Sequence, residues 1–148
     1  MRYCIILIIV LFTTSLFVVA GETKRLLTNE HVKFSVALKE KSLKAGTAGN
    51  LLIRLQPKKG IHVNLKPAPS IAFDSTSLIV HAGTLTIPKA DTFLNALKPI
   101  LQPITLDYSV KPGTVTLKGT VTYYYCSDAD GWCSRFKQPF ELSVNILK

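Results

Sequence analysis

Hydrophobic and polar residues alternate along most of the chain after Glu30. In the segment 31–40, hydrophobic side chains occupy every second position, at Val32, Phe34, Val36 and Leu38. A period of two is typical of a β-strand that packs one face on a core and exposes the other. Further strands are predicted over residues 51–56, 61–65, 71–73, 78–85, 104–110, 114–126 and 140–146. Seven or more short strands predict an all-β fold, an immunoglobulin-like antiparallel β-sandwich.

Prolines and glycines separate these predicted strands. Residues 57–60 and 111–113 have the composition of turns. Pro67 and Pro69 exclude a central strand at their positions, because proline cannot donate a backbone hydrogen bond. Residues 88–103 are the least regular stretch, and we expect residues 90–97 to form a loop or one helical turn.

The first twenty residues have the layout of a secretory signal peptide. Arg2 gives a basic start, residues 5–19 are almost continuously apolar, and small or branched residues precede a cleavage site after Ala20. The apolar run is shorter than the roughly 20 residues of a membrane helix, so cleavage is favoured over retention as an N-terminal anchor. We therefore predict a periplasmic or secreted protein with a flexible lead-in over residues 21–30 and one domain over 31–148.

The charge of the chain is strongly basic, with 18 Lys and Arg against 9 Asp and Glu, a net charge of +9. The basic residues are scattered singly or in pairs and form no cluster on one segment. This distribution predicts a solvated basic surface rather than a nucleic-acid site, and export also argues against nucleic acid. After the signal peptide no apolar segment is long enough for stable membrane insertion.

Two cysteines follow the predicted signal peptide, Cys126 and Cys133, and an even number in an exported protein predicts a disulfide. They flank a turn-forming segment, residues 127–131, so the predicted hairpin places them on neighbouring strands. In a regular strand Cys126 points away from the core, unless a β-bulge near Gly119 reverses the alternation. A closed loop of about 8 residues stabilises by only about 2.5 kcal/mol, against about 4.3 kcal/mol for a 60-residue loop. The position is weak for stability and good for access by a partner.

Three classes of function remain open on these residues. The first is thiol–disulfide exchange. The second is a protein-binding module braced by a structural disulfide, with aromatic contact residues at Tyr123, Tyr124, Tyr125 and Trp132. The third is Cu(I) binding by the two thiols, although the dispersed His31, His62 and His81 form no recognisable metal site, so neither a metal nor a cofactor is predicted. Hydrolase chemistry has no support, because the sequence has neither a nucleophile elbow nor a spaced His–acid pair.

The segment 121–126, Val-Thr-Tyr-Tyr-Tyr-Cys, is followed by a short acidic loop and by Trp132-Cys133. This arrangement resembles the active-site hairpin of the N-terminal periplasmic domain of the thiol:disulfide interchange protein DsbD. The resemblance extends over most of the mature chain in order, including Gly-Ile-His-Val at 60–63 and Leu-Thr-Ile-Pro at 85–88. It implies an immunoglobulin-like fold and electron transfer to or from periplasmic redox proteins, by a chain that we expect to be a monomer and either an electron-transfer domain or a protein-disulfide reductase.

The resemblance also implies roles for individual residues. Cys126 and Cys133 match the redox pair. Apart from the resemblance, Cys133 is the expected nucleophile because Arg135 and Lys137 follow it, and cationic neighbours lower a thiol pKa. The residues that match the cap, shield and lining positions are Phe93, Trp132, His62, Asn64, Asp91 and Tyr124. Three departures from the family pattern stand out. First, six residues separate the cysteines, one more than in the best-known members. Second, Asp91 is the only acidic residue at the positions of the acidic cap loop. Third, the membrane conduit and the thioredoxin-like domain have no counterpart in this sequence, so electrons are expected from an outside source.

Overall fold

The computed structural model describes residues 27–74 and 78–148. The predicted signal peptide, residues 1–20, and most of the predicted lead-in lie outside these ranges. Within them the chain contains no helix, and hence none that could cross a membrane. The strands are β1 (Val32–Leu38), β2 (Leu43–Lys44), β3 (Ala48–Pro57), β4 (Ile61–Val63), β5 (Ser70–Phe73), β6 (Ile79–Ala82), β7 (Lys89–Ala90), β8 (Phe93–Leu94), β9 (Ile100–Leu106), β10 (Gly113–Ser127) and β11 (Trp132–Leu147).

Two main sheets share one hydrophobic core. The first has the strand order β1-β3-β9-β6, and the second has the order β2-β11-β10-β4, with β5 also paired to β10. All pairs are antiparallel except β2 with β11. The core draws side chains from both sheets, among them Leu51, Ile53, Ile100, Ile104, Leu117, Val121, Tyr123 and Val144. The predicted all-β, antiparallel sandwich is therefore confirmed, whereas its immunoglobulin-like character remains a prediction.

The β10–β11 hairpin is the longest element and carries the two cysteines at its tip. Its pairing runs without interruption from Gly113 opposite Ile146 to Ser127 opposite Trp132. Gly119 does not mark a bulge; an added Cβ there would lie 2.6 Å from the carbonyl oxygen of Ala72, so glycine allows β5 to approach. The alternation therefore persists along β10. Cys126 belongs to the face turned away from the core, as a regular strand predicts.

The stretch 88–103 departs from the sequence-based prediction. Instead of a loop or helical turn, β7 and β8 form a small hairpin, and β9 begins at Ile100 rather than at 104. Pro103 lies inside β9, where its carbonyl accepts a hydrogen bond from the Gly83 amide at 3.0 Å. The amide and carbonyl of one residue point to the same side of an antiparallel strand. The amide that Pro103 lacks would therefore face Gly83, whose carbonyl accepts a hydrogen bond from Gln102 Nε2 at 2.7 Å instead.

Candidate functional site

A disulfide joins Cys126 of β10 to Cys133 of β11. The two residues lie directly opposite each other in the ladder, with their Cα atoms 4.1 Å apart. This close spacing is typical of a pair that exchanges no backbone hydrogen bonds, where side chains of neighbouring strands come closest. The predicted disulfide at the end of the hairpin is confirmed.

The turn beyond the disulfide is closed by its own polar side chains. The Ser127 hydroxyl donates to Asp130 Oδ2 at 2.6 Å, and the Asp130 amide donates back to Ser127 Oγ at 3.3 Å. Gly131 has a positive φ of 68° and donates its amide to the Ser127 carbonyl at 3.0 Å. Serine, aspartate and glycine suit these positions because they bond locally or tolerate the left-handed region. The turn thereby sets the register that places the cysteines opposite each other.

The two cysteines differ sharply in exposure. Cys126 is only 5% exposed, although the alternation along β10 places it on the outer face of the sheet. Cys133 is exposed. A large reactant approaching from solvent therefore meets Cys133 first, and Cys126 is the protected member of the pair.

Asn64, directly after β4, contacts the protected sulfur. Its side-chain Nδ2 donates a hydrogen bond to Cys126 Sγ at 3.1 Å. Its backbone amide donates to the Tyr124 carbonyl at 2.8 Å, which fixes Asn64 beside β10. A donor aimed at a sulfur favours its ionised form, because the hydrogen bond to a thiolate is the stronger one.

His62 lies opposite Cys126 in the β4–β10 ladder, on the side away from Cys133. Its Nδ1 is 3.3 Å from Asp128 Oδ2, and its side chain is 16% exposed. The contact is an ion pair only when His62 is protonated. Because the Asp128 side chain is 81% exposed, water screens this ion pair. On its other side, the His62 ring packs on Phe93 with ring centroids 3.9 Å apart.

The β7–β8 hairpin carries Phe93 to this position. Ala90 pairs with Phe93 across the two-residue turn Asp91-Thr92, and Asp91 has a positive φ of 53°. Aspartate is among the few residues that tolerate this conformation. Phe93 also forms a β-bridge with Asn64 and remains 36% exposed. The structure thus brings Phe93, His62 and Asn64 together beside Cys126, with Asp91 on the wall of a groove that Asn64 also lines.

Trp132 is not brought together with these residues. Its ring packs edge-on against Tyr125 at 5.6 Å and lies 5.1 Å from the His31 ring, among residues on the core side. Tyr123 is fully buried and Tyr125 is 6% exposed, which removes both from the contact surface suggested for a binding module. Tyr124 is half-buried on the outer face, where it shares a side of the sheet with Cys126.

The pairing of Asp128 with His62 is not predicted by the sequence, because the two residues are far apart along the chain. The acidic turn next to Cys126 is the only sequence signal of this pair, and the partner of Asp128 becomes evident only once β4 is known to lie beside β10.

Among the described residues, no three His, Cys, Asp or Glu side chains come together as a metal-binding group. No protein-family model matches the chain, and a search of curated proteins finds no relative.

Proposed function

We propose that this protein is an exported thiol–disulfide exchange protein of the kind represented by the N-terminal domain of DsbD. The Cys126–Cys133 pair would carry electrons to or from partner proteins in the periplasm or outside the cell. The observation that carries the proposal is the asymmetry of the disulfide, in which one cysteine is exposed and the other is buried beside the Asn64 donor. Bracing the hairpin requires neither feature, since backbone pairing already holds the two strands together.

The reduced pair donates electrons in two steps. The Cys133 thiolate attacks a partner disulfide, forms a mixed disulfide and releases one partner sulfur as a thiolate. The Cys126 thiolate then attacks Cys133 Sγ, re-forms the Cys126–Cys133 bond and releases the second partner sulfur. The partner gains two electrons and takes up two protons, and the cysteine pair is oxidised by the same two electrons. The reduced state itself is restored by the reverse reaction with a dithiol protein.

Exposure and hydrogen bonding assign different tasks to the two sulfurs. Cys133 is the sulfur that a partner can attack or that can attack a partner, because it is the exposed one. When a partner thiolate attacks Cys133, the leaving group is the Cys126 thiolate, and a better-stabilised thiolate leaves faster. Asn64 Nδ2 stands at that sulfur, so its hydrogen bond supports the step in which the disulfide opens.

The export part of the proposal rests on the N-terminal sequence and the disulfide. Residues 1–20 have the layout of a signal peptide, and disulfides persist mainly in oxidising compartments. An N-terminal fusion of residues 1–30 to a reporter enzyme that is active only after export tests this part. We expect export, and a fusion that stays in the cytoplasm would contradict it.

The decisive measurement for function is the reduction potential of the pair, determined in glutathione or dithiothreitol redox buffers. We expect a value above roughly −300 mV, because structural disulfides in secreted proteins have potentials below that value. A potential below roughly −300 mV would overturn the exchange function. It would leave the protein-binding module with a structural hairpin disulfide as the better description.

A further inference from the structure

The face of β11 that presents Cys133 also presents a short row of cations. Cys133, Arg135 and Lys137 occupy alternate positions on an uninterrupted strand, so their side chains share the outer face, and all three are exposed. Alternate residues of a strand are about 7 Å apart, which places the two cations about 7 and 14 Å from the exposed cysteine. The row thus begins at the reactive sulfur and runs away from the turn.

These two cations have no acidic partner in the part of the chain that the structure describes. Their cross-strand neighbours on the same face are uncharged hydroxyl residues, Tyr124 opposite Arg135 and Thr122 opposite Lys137. The nearest carboxylate farther along this face is Glu141, which is bound by Lys118 at 2.8 Å.

The acidic residues beside the cysteines lie at the other end of the row. Asp128 faces His62, and Asp130 is bonded within the turn to Ser127. Among residues 27–74 and 78–148, negative charge therefore lies on the turn side of the disulfide, and positive charge without an acidic partner lies on the β11 side. A partner that approaches Cys133 along the strand meets only the positive side.

We infer that this row, Cys133-Arg135-Lys137, is the docking surface for an extended acidic segment of the redox partner, an inference that rests on the proposed thiol–disulfide exchange. A partner strand lying along β11 has the same spacing of about 7 Å between alternate side chains. Its carboxylates therefore meet Arg135 and Lys137 when they stand two and four residues from its reactive cysteine. Arginine binds a carboxylate through two parallel hydrogen bonds, and lysine adds a point charge.

The electrostatic row acts mainly on the rate at which the mixed disulfide forms. Complementary charges at an exposed surface accelerate encounter, and the effect weakens as salt is added. The chemical step is an ordinary thiol–disulfide exchange. A peptide thiolate attacks Cys133 Sγ, the bond between Cys126 and Cys133 breaks, and Cys126 leaves as a thiolate that takes a proton from water.

The experiment uses the oxidised protein and three peptides that differ only in charge, with a cysteine followed at the second and fourth positions by glutamate, glutamine or lysine. Formation of the mixed disulfide at Cys133 is followed by mass spectrometry after acid quenching, at low and high ionic strength. We expect the glutamate peptide to react about tenfold faster per thiolate than the glutamine peptide at low ionic strength, and the lysine peptide to react more slowly.

Charge reversal supplies the critical comparison. In the double variant R135E/K137E the preference should disappear or invert, whereas it should persist in K33E/K39E, which reverses two exposed lysines on β1 and just beyond it. Equal ratios of glutamate to glutamine peptide rates in wild type and R135E/K137E would overturn the docking inference. A reaction with the uncharged thiol 2-mercaptoethanol tests the exchange function separately from the docking surface. If it opens the disulfide while the peptides show no charge preference, the exchange function stands and the docking surface fails; if it does not open the disulfide, both fail.

Discussion

The side-chain amide of Asn64 donates a hydrogen bond to the sulfur of Cys126 across 3.1 Å, although the two residues are 62 positions apart in the chain. The donor reaches the buried sulfur and not the exposed one. Because the buried sulfur is the leaving group when Cys133 is attacked, the contact acts on the charge that develops as the disulfide opens. The same contact favours the reduced state to the extent that the Cys126 sulfur is ionised there, because the hydrogen bond to a thiolate is the stronger one.

Replacing Asn64 by alanine should slow the opening of the disulfide. Loss of one hydrogen bond to a charged group corresponds to about 1.5 kcal/mol, or roughly tenfold in rate. The same change should make the pair more reducing by about 30 mV for each tenfold change in its equilibrium constant. The rate is measured with dithiothreitol by the fluorescence of Trp132, the single tryptophan in the chain.

The control for Asn64→Ala is Asn145→Ala, an exposed asparagine at the opposite end of β11. We expect this control to keep the wild-type rate and potential. An Asn64→Ala protein that folds and opens its disulfide as fast as the control would show that the amide does not support the leaving sulfur.

Single-cysteine variants should separate the two sulfurs by reactivity. In a Cys4→Ser background, Cys126→Ser leaves the exposed Cys133 thiol, and Cys133→Ser leaves the buried Cys126 thiol. We expect the Cys133 thiol to react with an aromatic disulfide reagent at least about tenfold faster, because access limits the reaction of a buried thiol. The difference should disappear in denaturant. Equal rates in the folded proteins would remove the assignment of Cys133 as the attacking and attacked sulfur.

Phe93 should restrain access to the site through its contact with His62. Truncation in Phe93→Ala removes the ring that packs on His62 at 3.9 Å, and we expect disulfide opening by dithiothreitol to accelerate several-fold. Leu97→Ala is the matched control, since Leu97 lies in the same region of the chain and is 89% exposed. Identical rates for Phe93→Ala and Leu97→Ala would exclude a cap function for Phe93.

Burial raises the pKa of the Tyr123 phenol to about 12, while its hydrogen bond with Asn29 opposes the shift. Between pH 10 and 12 the unfolded chain loses this proton and the folded chain keeps it, so stability decreases as pH rises through this window. We expect wild type to lose about 2 kcal/mol more than Tyr123→Phe between pH 9.5 and 11.5, measured by urea unfolding of the oxidised proteins.

The exposed Tyr108 provides the comparison for this pH effect, because Tyr108→Phe removes a phenol that is 83% exposed. Its pH dependence should match that of wild type. A Tyr123→Phe protein with the same pH dependence as wild type would mean that the buried phenol ionises in the folded state as readily as in the unfolded one.

The two longest strands could be predicted in whole or in part because their signal is local: the strand predicted over 114–126 matches β10, and the one predicted over 140–146 covers the second half of β11. In β10, the alternation of Leu117, Val121, Tyr123 and Tyr125 with polar residues predicts both the strand and the outward position of Cys126, and the pairing of β10 and β11 follows this alternation. The β7–β8 hairpin could not be recognised in the same way, since two strands of two residues are too short to show a period. The strand around Pro103 could not be predicted for a different reason, because the side chain of Gln102 supplies the donor that proline lacks, and this substitution depends on the neighbouring chain.

The candidate site could be predicted only in part, because only its local features leave a pattern in the sequence. The cysteine pair follows from an even count and a turn between the two residues, both of which are local features. The contacts of Asn64 with Cys126 and of His62 with Asp128 depend on β4 lying beside β10, and strand order leaves no local pattern in the sequence. The family resemblance pointed to positions 62 and 64, but not to these contacts.

The position of the cysteine pair in the β10–β11 ladder affects how easily the disulfide is reduced and re-formed. Of the fifteen residue pairs between β10 and β11, thirteen lie on the side of the disulfide away from the turn and are held by the backbone. Cutting the S–S bond therefore leaves both sulfurs at the same rung, facing each other. Each cycle of reduction and oxidation therefore changes the bonding of the two sulfur atoms and requires almost no rearrangement of the backbone.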